Sequence, residues 1–214
     1  MANESPGKTI WSESPNQETR SVGFYLVMFF MLVVIGFIAG AFGSISFSVD
    51  NPDAWISVGS GVNYFWPGIT IQQVGGIWFG AWGILAGVIF PFFSNAVTGT
   101  PFVISFAYLP ANFLQSFLPA FAFRRLKLDP RLESGADYLS LLFSMFLGNL
   151  LGSFWSVFVL IYLTERIAWG DAASYFFGWF GGNMIAGVLF NFVILKSLSQ
   201  LVIRANGLVK KWWS

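Results

Sequence analysis

Seventy consecutive residues, Ala54 to Phe123, contain no Asp, Glu, Lys or Arg. Soluble domains carry about 25% charged residues, so a run of this length cannot cover a water-facing surface. Lipid is the solvent that accepts it. The remainder agrees: of 214 residues, 56% are hydrophobic, 20% aromatic and only 10% charged. Three further uncharged runs stand out, Ser21–Val49, Tyr138–Thr164 and Ala172–Leu195. Each reads as one crossing, because a helix needs about 20 apolar residues to pass the hydrocarbon core.

The long run has to be divided. Pro101–Phe123 makes one crossing after the break Asn95–Pro101. Ala54–Phe93 remains, as two short spans or as a re-entrant segment. The basic residues favour a round trip of either kind. With it, ten of the eleven Lys and Arg residues fall on the cytoplasmic side, and only Arg166 lies outside. The expected fold is therefore an all-α integral membrane protein. It is a six-helix transmembrane bundle with a short irregular second helix and both termini cytoplasmic, lying in the cell membrane. The two short pieces are Ala54–Ile71 and Val74–Phe93, turning near Gln72, Gln73 and Gly75. Gly59, Gly61, Asn63 and Pro67 make the first piece irregular. Such backbone at membrane depth needs protein or a water-filled cavity beside it.

The ends read differently from the middle. Residues 1–20 include Glu4, Lys8, Glu13 and Glu18 and read as a disordered cytoplasmic tail rather than a signal peptide. Residues 21–203 form the membrane domain. Residues 204–214 read as a cytoplasmic interfacial tail, with Lys210-Lys211-Trp212-Trp213 as its anchor.

Several function classes drop out. The chain has no Cys and no His, so disulfides and the usual transition-metal ligands are missing. No charged residue lies inside an expected span, which argues against a proton relay. Nothing there serves as acid, base or nucleophile of tuned pKa, so the chain is expected not to be an enzyme and to need no cofactor. The net charge of +1 argues against a nucleic-acid partner. No phosphate loop is present, so any ATP-driven step belongs to other subunits.

What the spans do contain is neutral polar groups. Tyr108, Asn112 and Gln115 share one face of the fourth helix, Asn149, Gly152 and Ser156 one face of the fifth, and Asn183, Gly187 and Asn191 one face of the sixth. Asn112, Asn149 and Asn183 lie near mid-span. They read either as ligand contacts converging on one site or as interhelical hydrogen bonds. On the outer side, Asn63, Tyr64, Trp66 and Asn95 combine aromatic rings with amides, as a small-molecule pocket does. Gly36, Gly40 and Ser44, with Ala39 and Gly43 beside them, make a small-residue stripe on the first helix. Such a stripe lets another backbone approach, from this chain or from another subunit. Gly76, Gly80, Gly83 and Gly87 repeat the pattern on the third helix.

The run from Gly75-Gly76 through Gly80, Gly83 and Gly87 leads to Asn95 and Pro101. Then come Pro110-Ala111-Asn112-Phe113-Leu114-Gln115 and the basic turn Arg124-Arg125. This stretch resembles the middle of the substrate-binding S components of energy-coupling-factor (ECF) transporters. The resemblance implies a six-helix subunit that captures a vitamin or similar small molecule from outside. It would then dock on a transmembrane coupling subunit and two ATPases, which drive its toppling in the membrane. In that family an Ala-x-x-x-Ala pattern on the first helix faces the coupling subunit. The matching positions here are Gly36 and Gly40, or Ala39 and Gly43. The cobalt and nickel branch uses an N-terminal His, and this chain has none, so a metal substrate is not expected. The expected partners are thus a small-molecule substrate, membrane lipid, and possibly coupling and ATPase subunits. The alternative is a membrane scaffold or sensor module that binds protein partners and no ligand. A self-sufficient facilitator ranks below both.

Overall fold

A computed structural model describes residues 10–11, 20–47 and 62–213 of the chain. Their architecture is an all-α bundle, and four of its helical stretches are long and apolar enough to cross a membrane: Val22–Ser46, Phe102–Leu126, Gly135–Leu163 and Trp169–Arg204. The α-helices are α1 (Val22–Ser46), α2 (Gly68–Phe79), α3 (Ala81–Val97), α4 (Phe102–Ala107), α5 (Leu109–Leu126), α6 (Gly135–Phe158) and α7 (Ala172–Arg204). α4 and α5 form one stretch broken at Tyr108, and α6 ends in a π-helical turn, Val159–Leu163. Counting α4 and α5 as one gives six helical segments among the described residues with a short second one, as the uncharged runs and the distribution of basic residues together predict.

The helix ends follow from local chemistry. The Ser21 hydroxyl accepts a hydrogen bond from the Phe24 amide and opens α1. Ser134 and Asp137 cap α6 reciprocally, each side chain taking the other's backbone amide. α4 begins directly after Pro101, and Pro110 stands in the first turn of α5.

α2 and α3 form a helical hairpin, but the turn is not near Gln72–Gly75 as its glycine and glutamines suggest. Gln72 and Gln73 lie mid-helix and fully buried, and the chain reverses at Gly80. Gly80 has φ +59°, a backbone conformation that side-chain-bearing residues avoid. A side chain there would also strike the Trp212 carbonyl. Within the hairpin, Gly83 touches the backbone of Gly75 and Gly76, so small residues set the crossing. The 12 residues of α2 cover about 18 Å, too little to cross a bilayer. Of the expected piece Ala54–Ile71, residues 54–61 lie outside the described residues, and residues 62–67 are non-helical.

Protein covers that non-helical stretch. The Tyr64 amide donates to the Phe47 carbonyl at 2.7 Å. Trp66 donates its indole N–H to the Gly40 carbonyl at 3.1 Å. Gly43 of α1 lies against Phe65 and Trp66, and Gly182 of α7 lies against the Asn63–Phe65 backbone. Gly36 and Gly40 meet Phe90 and Ser94 of α3. The α1 glycine stripe is therefore occupied within the chain. Ala39, partly buried, is the remaining member of the set expected to face another subunit.

One end of the bundle is basic and closed. Arg124 is buried there and donates to four backbone carbonyls: Lys211 (2.8 Å), Gly76 (3.1 Å), Ala120 (3.2 Å) and Val209 (2.9 Å). Its guanidinium lies 5.2 Å from the Trp11 ring centre and 5.1 Å from that of Trp212. The Ala81 amide donates to the Trp212 carbonyl at 2.7 Å, and the Val209 amide to that of Trp78 at 2.8 Å. The segment after α7 thus folds back across the α2–α3 turn, with Leu208 and Val209 in the core. Nearby, Arg131 chelates Asp129 and donates to Gln200 at 3.1 Å. Donating to the Asp129 carboxylate raises the Arg131 pKa above its usual value, with the charges of Asp129 and Glu133 adding to it and burial opposing it.

Outward-facing positions are apolar. Val27, Phe30, Val34 and Ile38 of α1 are each more than half exposed, at helical spacing. A water-facing helix would place polar residues there.

Candidate functional site

At the end opposite the basic turn, six sequence-nominated residues meet around one cavity. Asn63 and Trp66 come from the non-helical stretch, Asn95 from the last turn of α3, Tyr108 and Asn112 from the α4–α5 break and the turn after it, and Asn183 from α7. Pro91 of α3 and Trp179 of α7 complete the lining. The enclosed space is about 20 Å³, enough for one water molecule.

Six of the eight wall residues are held from behind or by each other. Asn63 Nδ2 reaches Ser44 Oγ at 3.4 Å. Asn95 Nδ2 donates to Ser105 Oγ at 3.3 Å. Asn112 Oδ1 accepts from Gln72 Nε2 at 3.4 Å. Trp66 stacks on Phe90, with ring centres 5.7 Å apart. Tyr108 and Trp179 meet edge-to-face at 4.8 Å. These two rings belong to an apolar cluster with Val62, Ile104, Ala111, Val159 and Leu160, which includes the π turn. Among the described residues, no Asp, Glu, Lys or Arg lines the cavity. Burying a charge without a partner costs far more than burying an amide that has one, so the wall suits an uncharged occupant.

The other nominated residues lie elsewhere. Tyr64 is 44% exposed, its hydroxyl 3.5 Å from that of Ser174, and it does not line the cavity. Gln115 and Asn149 lie deeper and are joined to each other: Gln115 Nε2 donates to Asn149 Oδ1 at 3.0 Å, while Gln115 Oε1 is buried without a partner. Asn149 Nδ2 reaches the Met184 sulfur at 3.3 Å. Of the three mid-span asparagines, two reach the cavity and Asn149 is an interhelical bond.

Below the cavity is a layer of buried amides. Gln72 Nε2 donates to the Gly87 carbonyl at 2.8 Å. Asn191 Nδ2 donates to Gln73 Oε1 at 2.6 Å. Three glycines make room for three glutamines. Gly87 of α3 faces Gln72, Gly152 of α6 faces Gln115, and Gly187 of α7 faces Gln73. Hydropathy reading misses Gln72 and Gln73, because paired glutamines beside glycines look like a turn. It misses Trp179 too, although Trp179 stands one helical turn before Asn183 on the same face. Pro91 has no polar side chain and gives no signal.

The donor set does not fit a metal. Among the described residues, no group of three His, Cys, Asp or Glu side chains comes together, and the cavity wall is amide and aromatic. Comparison with protein-family models, curated proteins and solved structures gave no match.

Proposed function

We propose that the chain is a membrane-embedded substrate-binding subunit. It captures a small, uncharged, vitamin-like molecule for uptake together with separate coupling and ATPase subunits, as S components of ECF transporters do. The observation that carries the reading is the convergence of Asn63, Trp66, Asn95, Tyr108, Asn112 and Asn183 on one cavity. Three aromatic rings and four amides without a charge make a binding surface, not a catalytic one. The role is therefore binding and not chemistry.

Orientation follows the positive-inside rule. Arg20, Arg125, Lys127, Arg131, Lys196 and Arg204 lie toward the closed end and Arg166 toward the cavity end, which supports an orientation with the closed end in the cytoplasm and the cavity outside. Both termini are then cytoplasmic and the membrane is that of the cell. Because Gly36, Gly40 and Gly43 are covered within the chain, a coupling subunit would meet the ridge of Val27, Phe30, Val34 and Ile38 instead, which lipid covers otherwise.

The test is mass spectrometry of small molecules retained by the purified protein. A retained molecule is expected, lost on Asn112→Leu or Asn183→Leu and kept on Tyr64→Phe. A protein that retains nothing, or retention indifferent to all three substitutions, would remove this site. The alternative, a scaffold or sensor module that binds protein partners and no ligand, draws on the cavity's volume of about 20 Å³. A stable protein partner in the absence of any metabolite would favour it.

A further inference from the structure

We infer that the cavity takes the edge of an uncharged, planar carboxamide or ring lactam. This rests on the capture reading above and narrows it. Several polar atoms of the wall already have a partner. The Trp66 N–H is spent on the Gly40 carbonyl. The amide nitrogens of Asn63 and Asn95 are spent on Ser44 and Ser105. The Asn112 oxygen is spent on Gln72.

Two polar residues of the wall make no side-chain hydrogen bond among the described residues, and both are on α7. Trp179 is 7% exposed, and its indole N–H is buried with no hydrogen-bond partner. Asn183 is 3% exposed, and its side chain makes no hydrogen bond among the described residues. The two residues lie one helical turn apart, share a face and line the same cavity. A buried donor left unmatched costs about 1–3 kcal/mol, so a pair of such groups in one wall points to something that completes them.

The missing complement is specific. The indole offers one donor and the asparagine amide one donor and one acceptor. A carboxamide or lactam answers all three: its carbonyl accepts from Trp179 and from Asn183 Nδ2, and its N–H donates to Asn183 Oδ1. A ketone lacks the donor. A carboxylate lacks the donor as well and brings a charge into a wall with no cation. The rings of Trp66, Tyr108 and Trp179 flank a flat body.

The present space holds one water, so a ring enters only as a wall gives way.

Full-length protein in lipid nanodiscs would be titrated with benzamide, acetophenone and benzoate, reading saturable binding by saturation-transfer NMR with mutual competition. The three probes share a ring and differ only in the edge. Benzamide is expected to bind at least about tenfold more tightly than either other probe, a difference of about 1.4 kcal/mol. Asn183→Leu and Trp179→Phe should each weaken benzamide by about tenfold without altering thermal unfolding. The ranking on the unaltered protein stands even where a variant fails to fold. Equal or tighter binding of benzoate or acetophenone, still dependent on Asn183, leaves a capture site and overturns the carboxamide assignment. Saturable binding of none of the three overturns the assignment too. The capture reading falls with it only when the purified protein also retains no small molecule.

Discussion

Gln72 donates its side-chain amide to the carbonyl of Gly87 at 2.8 Å, the carbonyl that Pro91 leaves without its helical partner. A proline inside a helix removes the amide that would bond four residues back, and in lipid no water replaces it. Here a neighbouring helix supplies the donor. Gln72→Leu should therefore destabilise the protein by about 1–3 kcal/mol, read as denaturant unfolding in detergent. Adding Pro91→Ala restores the helical amide and should recover a good part of that loss. An additive double variant would show that the two positions are uncoupled.

Gly80 carries the hairpin turn at a positive φ with the Trp212 carbonyl against it. Gly80→Ala should cost about 1–3 kcal/mol, the scale of a side chain forced into a glycine-only conformation. It should also loosen the terminal strap, because the clashing atom belongs to it. Trypsin cleavage after Lys210 or Lys211 reports the strap directly, and Gly80→Ala is expected to speed it.

Arg124 holds that strap with planar geometry rather than with charge alone, since its partners are carbonyls and two indoles. Arg124→Lys keeps the charge and loses the fork. It is expected to release the strap nearly as fully as Arg124→Met, again as faster tryptic cleavage. A lysine variant with unaltered cleavage would mean that the positive charge alone suffices.

Gln115 Nε2 donates to Asn149 Oδ1 at 3.0 Å, away from the cavity. Asn149→Leu leaves that donor unmatched and should lower stability by about 1–3 kcal/mol, while retention of any bound molecule is unchanged once the protein is folded. Asn183→Leu should do the reverse. Unfolding and retention measured on both variants separate the two roles.

Much of this was legible from residues alone. Charge-free runs gave the helix count, and the i, i+4 spacing of Tyr108 with Asn112 put both on the face that reaches the cavity. The turn at Gly80 was not legible, because its signal is a backbone angle and a clash with Trp212, a residue far along the chain. Gln72 and Gln73 resembled turn residues for the same reason: their partners Gly87 and Asn191 lie on other helices. Nor does composition distinguish Asn149 from Asn112 and Asn183. All three are mid-span amides, and only packing separates a bond between helices from a wall of a cavity. The basic Trp-rich end read as a membrane anchor because nothing local to it reveals that Arg124 offers it a seat.

The non-helical stretch at residues 62–67 leans on both α1 and α7, one made before it and the other well after it. During synthesis, Asn63 to Trp66 emerge with only part of their support, and Gly182 arrives more than a hundred residues later. The cavity end of the described bundle is thus completed only once α7 is made, and its assembly is a late event of biogenesis rather than a local one.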